Sequence, residues 1–529
     1  MNPNLIVFFV AIPMAAGIIS LPLANRPRVQ RAIGTFSFLA ILIMAVGMLV
    51  GIHQGLDAGD PGIFVSQMGG WEAPYGISLI FDSLSGLLIA TAAMVGLGCY
   101  IHSFSTLDPA IERRYYHPVI QMLICGVNLS FLTGDLFNLF VAFEIMLMSS
   151  YVLVTIGTTR KQMTQAYKYI LLNLVASTVF VITAGLTYGL MGTLNFADLA
   201  RLVHEQEAAG TLPTGFKILP LMLLLVFGVK GAFFPLWFWL PDTYYTTPIA
   251  VAALFGGMLT KVGVYAVLRT FPLIFAVGEA GEVVKWLIAI SAAFTMFLGV
   301  LGAVSNHEVR RILSVHVISQ VGYMVFGLAL MTGHALAGCL FYMIQHMVVK
   351  SALFLCCGVM EKHAGTDDLN KLGGLLKRDP FLAVLFFIAA MSLVGLPPLS
   401  GFFGKLVIIQ AGWSDFWWLS VIGLATGGLT LLSMLKIWSY GFWHPDKQAT
   451  QAIPATVQRL VGMRSAYIGI SMLVVTALFL GFGAEVIYDL AFHAGDQLTH
   501  PQAYIEAVMG EGAWQPVTEP AMALAEVHP

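Results

Sequence analysis

Apolar stretches of about 18 residues or more recur along almost the whole chain. They begin near Leu5, Ala32, Ile77, Pro118, Leu136, Tyr167, Phe216, Ile249, Val283, Arg311, Ala335, Phe381, Phe416 and Ala466. Each is long enough to cross the roughly 30 Å hydrocarbon layer of a bilayer as a helix. The pattern predicts an all-α polytopic membrane protein with about 14 transmembrane helices. Composition agrees: 58% of the 529 residues are hydrophobic and only 10% are charged, against about 25% charged in a soluble domain. A formal net charge of -2 without a basic run argues against nucleic acid as a partner. The five cysteines lie in apolar runs without metal-ligand spacing, and read as small buried hydrophobes. No iron-sulfur, haem or zinc motif occurs, so no cofactor or metal is expected. The first stretch is too long, and too weakly flanked by positive charge, for a cleaved signal peptide.

The loops can be tested against the rule that lysine and arginine collect on the cytoplasmic side. Alternate loops carry Arg26, Arg28 and Arg31; Arg113 and Arg114; Arg160 and Lys161; Arg310 and Arg311; Lys362, Lys371, Lys377 and Arg378; and Lys447, Arg459 and Arg464. The loops between them hold only Arg201, Lys217, Arg269 and Lys285. A missed or invented helix would scramble this split. It predicts a multi-pass protein of the cell membrane with both termini on the non-cytoplasmic side.

The remaining lysines, Lys168, Lys230, Lys261, Lys350, Lys405 and Lys436, fall inside or at the ends of apolar runs, and Glu144 interrupts the run from Val141 to Met148. A charge at the bilayer centre costs at least about 2.5 to 3.5 kcal/mol, so a chain that keeps several has a use for them. Glu144 lies about nine residues into its span, or about 13 Å, close to the midplane. Buried acid alternating with buried base is what a proton relay requires.

Two spans are interrupted in the same manner, the seventh from Lys230 to Pro235 and the twelfth from Gly395 to Gly401. Proline removes a backbone donor and glycine loosens the helix, so the backbone there is bent or unwound. If residues 117–270 form one unit of five spans and 271–445 another, each break falls on the fourth helix of its unit. Five spans per unit force opposite topologies, the signature of inverted repeats with an ion path at discontinuous helices. Residues 1–116 would add three leading helices, and 446–529 a last helix and a short polar tail.

These residues also carry a family resemblance. The runs from Asp135 through Glu144 to Tyr151, Gly228 through Lys230 to Pro241, Leu259 through Lys261 to Tyr265, and Gly395 to Lys405 resemble the antiporter-like membrane subunits. That group is shared by respiratory complex I, membrane-bound hydrogenases and Mrp-type multisubunit sodium/proton antiporters. Within it the chain is most similar to the D subunits of Mrp antiporters, because Trp239-Leu240-Pro241-Asp242-Thr243 is followed by Tyr244-Tyr245 rather than the histidine typical of complex I relatives. Asp242 itself is nearer the complex I form. The resemblance implies a fourteen-helix fold with two inverted five-helix repeats and broken helices 7 and 12.

The resemblance also implies roles. Glu144 would be the acid that pairs with Lys230, and Lys261 the lysine that passes protons toward the second repeat. His346 matches a family histidine, and Lys405 would be the terminal lysine. Lys350 shares a helical face with His346 four residues away. Weaker candidates are Lys168, which could equally snorkel to the interface, and His316, which with Arg310, Arg311, Ser314, Ser319 and Gln320 suggests either cytoplasmic water access or a polar helix contact. Lys436 is expected to snorkel, and Asp82 and Asp135 to be solvated or capping residues. The implied function is a proton-translocating subunit of a cation/proton antiporter, a secondary transporter subunit and not an enzyme. Its partners would be the other membrane subunits, protons, sodium and the lipid bilayer. The rival readings are a redox-driven pump subunit of complex I or a hydrogenase, and a membrane scaffold without a relay.

Overall fold

The structure is a computed structural model that describes residues 3–56, 59–445 and 462–514. Lys447 and Arg459 lie outside the described residues. Among the described residues, twelve helices are long and apolar enough to cross a membrane. Two shorter apolar helices, Tyr116–Leu132 and Pro380–Val394, occupy the positions expected of the fourth and twelfth spans.

The helices segregate by surroundings. Ile249–Thr270, Val309–Leu330 and Gly333–Ala364 are buried on all sides, as uniformly apolar helices are when they form a core. They carry Lys261, His316, His346 and Lys350. Peripheral helices such as Arg160–Met191 keep one outward apolar face.

Several of the charge-rich loops meet on one face. There the Arg114 guanidinium donates to the Ile156 carbonyl, Gln162 to Thr246, Arg310 to Thr247 and Lys362 to Ser105. Glu112 lies there too, accepting from Arg31 at 2.7 and 2.9 Å and facing His117 Nε2 at 2.8 Å. Burial alone would push the Glu112 carboxyl up. The hydrogen bonds and charges of His117 and Arg31 outweigh burial and hold it down at about 2.

The opposite face departs from the sequence expectation in three ways. The apolar run at Ile77 does not begin as helix: Ser78–Phe81 pairs antiparallel with Phe64–Gln67, and the helix starts at Ser83. This small hairpin is an exception to the all-α reading. Asp82 caps that helix, and Asp135 caps the helix Leu136–Thr155, but Asp82 is not solvated. It is buried against Arg269, which belongs to the helix Ile249–Thr270 rather than to a loop. After the last span the expected short polar tail instead begins with two helices, Ala484–Thr499 and Gln502–Met509, packed on this face, where Gln67 donates to the Val508 carbonyl.

Candidate functional site

The helix Leu219–Gly231 ends where Ala232 takes a left-handed φ of 59°, and the chain resumes as Leu240–Thr246. Backbone groups released by such a break need new partners. The Trp239 indole donates to the Val229 carbonyl at 3.0 Å, and the Phe234 amide to Thr295 Oγ1 at 2.9 Å. The helix Ile249–Thr270 closes on the break at Gly263, where an added Cβ would collide with the Gly231 nitrogen. The break is thus a fixed element braced by side chains, not a frayed end.

Lys230, one residue before the end of that helix, is 3% exposed. Its Nζ donates to Ser177 Oγ at 3.3 Å, and Ser177 Oγ donates to Glu144 Oε1 at 2.5 Å. Glu144 and Lys230, expected to pair, are joined here through Ser177, from the helix Arg160–Met191. Glu144 is half-buried, on the side of its helix that also carries exposed Val141 and Met148.

Lys261 reaches back along its own helix, with Nζ 2.5 Å from the Gly256 carbonyl and 3.2 Å from Thr260 Oγ1. Lys350 and His346 stand one turn apart, fully buried. Among the described residues, neither the Lys350 ammonium nor either ring nitrogen of His346 has a hydrogen-bond partner.

At the second break Pro380–Val394 ends at Gly395, with φ 92°, and the chain resumes as Ser400–Asp415. The two halves meet at Gly401, where an added Cβ would collide with the Ser392 carbonyl oxygen. Lys405 Nζ donates to the carbonyls of Leu393 at 3.0 Å and Val394 at 2.9 Å, and lies 4.7 Å from the Tyr323 ring and 5.8 Å from the Tyr342 ring. Tyr342 donates to Gln320, whose Nε2 is 2.9 Å from Ser319 Oγ and 3.4 Å from Thr430 Oγ1. Ser319 in turn is 3.3 Å from His316 Nδ1, and His316 Nε2 is 2.9 Å from Ser433 Oγ. A continuous polar thread therefore runs from Ser433 through His316 to the ring beside Lys405.

Ser314, His316, Ser319 and Gln320 are fully buried, which favours the polar helix contact over direct water access. Arg310 bonds Glu361 at 2.9 and 2.5 Å, and Arg311 meets Asp242 at 3.1 Å. A cleft of about 520 Å³ lies beside this end, lined by Lys161, Tyr245, Arg310, Glu361, Lys362 and Asp367. Lys168 is exposed on the outside of its helix, away from the buried groups, so its candidacy as a relay residue is not supported. Lys436 caps the end of a neighbouring helix through the carbonyls of Val304 and Asn306 at 3.0 and 2.7 Å. Sequence reasoning missed Ser177, Tyr323, Tyr342, Thr430 and Ser433, because isolated hydroxyls in an apolar run are common and only the fold shows which ones meet a charge. Among the described residues no group of three or more His, Cys, Asp or Glu side chains could hold a metal ion.

Residues 133–430 match the family described as NADH:quinone oxidoreductase/Mrp antiporter, TM. The D subunit of the Na(+)/H(+) antiporter of Alkalihalophilus pseudofirmus is 43% identical over 509 residues, covering 96% of this chain and 100% of that protein. The protein of the same name from Bacillus subtilis is 38% identical over 511 residues, with 96% and 100% covered. The fold also matches a chain of the Mrp complex from Dietzia sp. DQ12-45-1b, with a TM-score of 0.85 at 31% identity, covering 96% of this chain and 100% of that one. Motifs, fold and relatives agree, and the chain belongs to the antiporter-like membrane-subunit family shared by NADH:quinone oxidoreductases and Mrp antiporters.

Proposed function

We propose that the chain is a proton-translocating subunit of a multisubunit sodium/proton antiporter in the cell membrane. It moves protons along Glu144, Lys230, Lys261, His346 and Lys405, with Lys350 as an additional station. The observation that carries this reading is the linkage of Glu144 to Lys230 through Ser177, beside a break braced by Trp239 and Thr295. A carboxylate and an ammonium sharing one hydroxyl feel each other's charge, so a proton gained by one changes the other's affinity for its own. Lys350 and His346, buried without partners among the described residues, fit stations completed by water, since buried polar groups are rarely left unbonded.

The matched breaks support two inverted five-helix units at 117–270 and 271–445. The charge split between faces supports termini on the non-cytoplasmic side, so that the 520 Å³ cleft opens to the cytoplasm. Sodium would cross elsewhere in the complex, because no cluster of carboxylates among the described residues offers it a site. A redox-driven pump would use the same relay, but the relatives named as antiporter subunits favour exchange. Proton flux measured in vesicles containing the whole purified complex, with no redox donor present, tests the proposal. Sodium-dependent flux is expected, and flux that needs an electron donor instead would overturn it.

A further inference from the structure

Lys261, Tyr265 and Arg269 recur every fourth residue along the helix Ile249–Thr270, so they form one stripe. Arg269 stands about 12 Å from Lys261 along the axis, on the side of the hairpin and the C-terminal helices. Its guanidinium clasps Asp82 through two hydrogen bonds, Nη1 to Oδ2 at 2.6 Å and Nη2 to Oδ1 at 2.9 Å, with both side chains no more than 3% exposed. Its Nε donates to the Tyr265 hydroxyl at 3.1 Å, which donates to the Phe131 carbonyl at 2.7 Å. Tyr504, from the helix Gln502–Met509, covers the far side with its ring 5.6 Å from the guanidinium. Asp82 Oδ1 also accepts from the Ser85 amide at 2.9 Å and the Ser85 hydroxyl at 3.0 Å. The cap of the helix Ser83–Thr106 and the helix Gln502–Met509 thus close on one buried cation lying in line with a proposed relay lysine.

We propose that Arg269 is a fixed-charge plug, which stops protons on Lys261 from leaving straight to the near face and commits them to the sideways route through His346 to Lys405. Arginine stays protonated at any working pH, so it cannot accept a proton and hand it on. A fixed guanidinium lying across a proton's route is an electrostatic barrier to it. Asp82 balances its charge but is a poor proton acceptor here, because its oxygens are held by Arg269 and Ser85. Arg269 acts by position and touches no transported ion. The inference rests on the reading of Lys261 as a relay group.

The test is passive proton conductance, with sodium absent, in vesicles containing the intact complex. Asp82→Asn with Arg269→Met removes the cation without stranding a buried charge. Conductance per complex should rise by about tenfold or more, and adding Lys261→Ala should return it to the starting level. A purely structural clamp would lower the amount of complex without opening a leak. An unchanged conductance in the assembled double variant overturns the plug while leaving the Lys261 reading intact. A leak that persists without Lys261 overturns the Lys261 reading itself. Should the double variant fail to assemble, Tyr504→Ala, which strips only the cover, decides: a smaller leak is expected, and none contradicts the proposal.

Discussion

At the first break the carbonyl freed at Val229 is taken by the Trp239 indole, which leaves the Lys230 ammonium to Ser177 and Glu144. At the second break the carbonyls freed at Leu393 and Val394 are taken by Lys405 itself, and no carboxylate among the described residues bonds it. The two lysines therefore answer to different neighbours. Lys230 is linked through the Ser177 hydroxyl to the Glu144 carboxylate. Lys405 is held by neutral carbonyls and aromatic faces, and a neutral amine still has two N–H donors for two carbonyls. It can give up a proton without losing its anchorage, which suits the exit end of a relay.

That contrast can be broken or sharpened experimentally. A large effect is expected at Lys405: Lys405→Ala should leave complex abundance near normal while exchange falls by about 100-fold. Lys405→Arg should fail as well, because arginine keeps its proton; full exchange in the arginine variant would show that only a fixed charge is needed. Ser177→Ala should weaken the coupling of Glu144 to Lys230 and slow exchange by about tenfold, with Ser177→Thr restoring most of it. Exchange at the normal rate in the alanine variant would show that the hydroxyl is incidental. Glu112, a carboxylate in neither unit's path, supplies the control. Glu112→Gln should leave exchange unchanged and destabilise the fold by about 1 to 3 kcal/mol. The sign with pH follows from its lowered position. Its contribution is present above its ordinary value of 4.5 and is lost as pH falls toward about 2. Thermal stability measured between about pH 6 and about pH 3 should therefore be less pH-sensitive in the glutamine variant.

Most span positions, the broken helices and the buried lysines are legible because each leaves a local signature: a long apolar run, a proline beside glycines, a charge where lipid forbids one. Ser177 is not, since its meaning depends on lying across from Lys230, 53 residues away in sequence. Arg269 was misjudged for the opposite reason. An arginine at the end of an apolar run looks like a loop residue until Asp82, 187 residues distant, is found to bury it. The hairpin hid inside an apolar run for a similar reason, because Ser78–Phe81 is too short for periodicity to separate strand from helix.

The claim that Glu144 and Lys230 work as one titrating unit is tested most directly by measuring sodium-dependent proton exchange and complex abundance together in Glu144→Ala, Lys230→Ala and the double variant. Each single change should abolish exchange in complexes that still assemble, and the double should be no worse than either, because groups that act as a unit are not additive. A static buried pair predicts the reverse: singles that assemble poorly, since stranding one buried charge costs about 3 to 5 kcal/mol, and a double variant that regains both abundance and exchange. Recovery of exchange in the double alanine variant would contradict the relay.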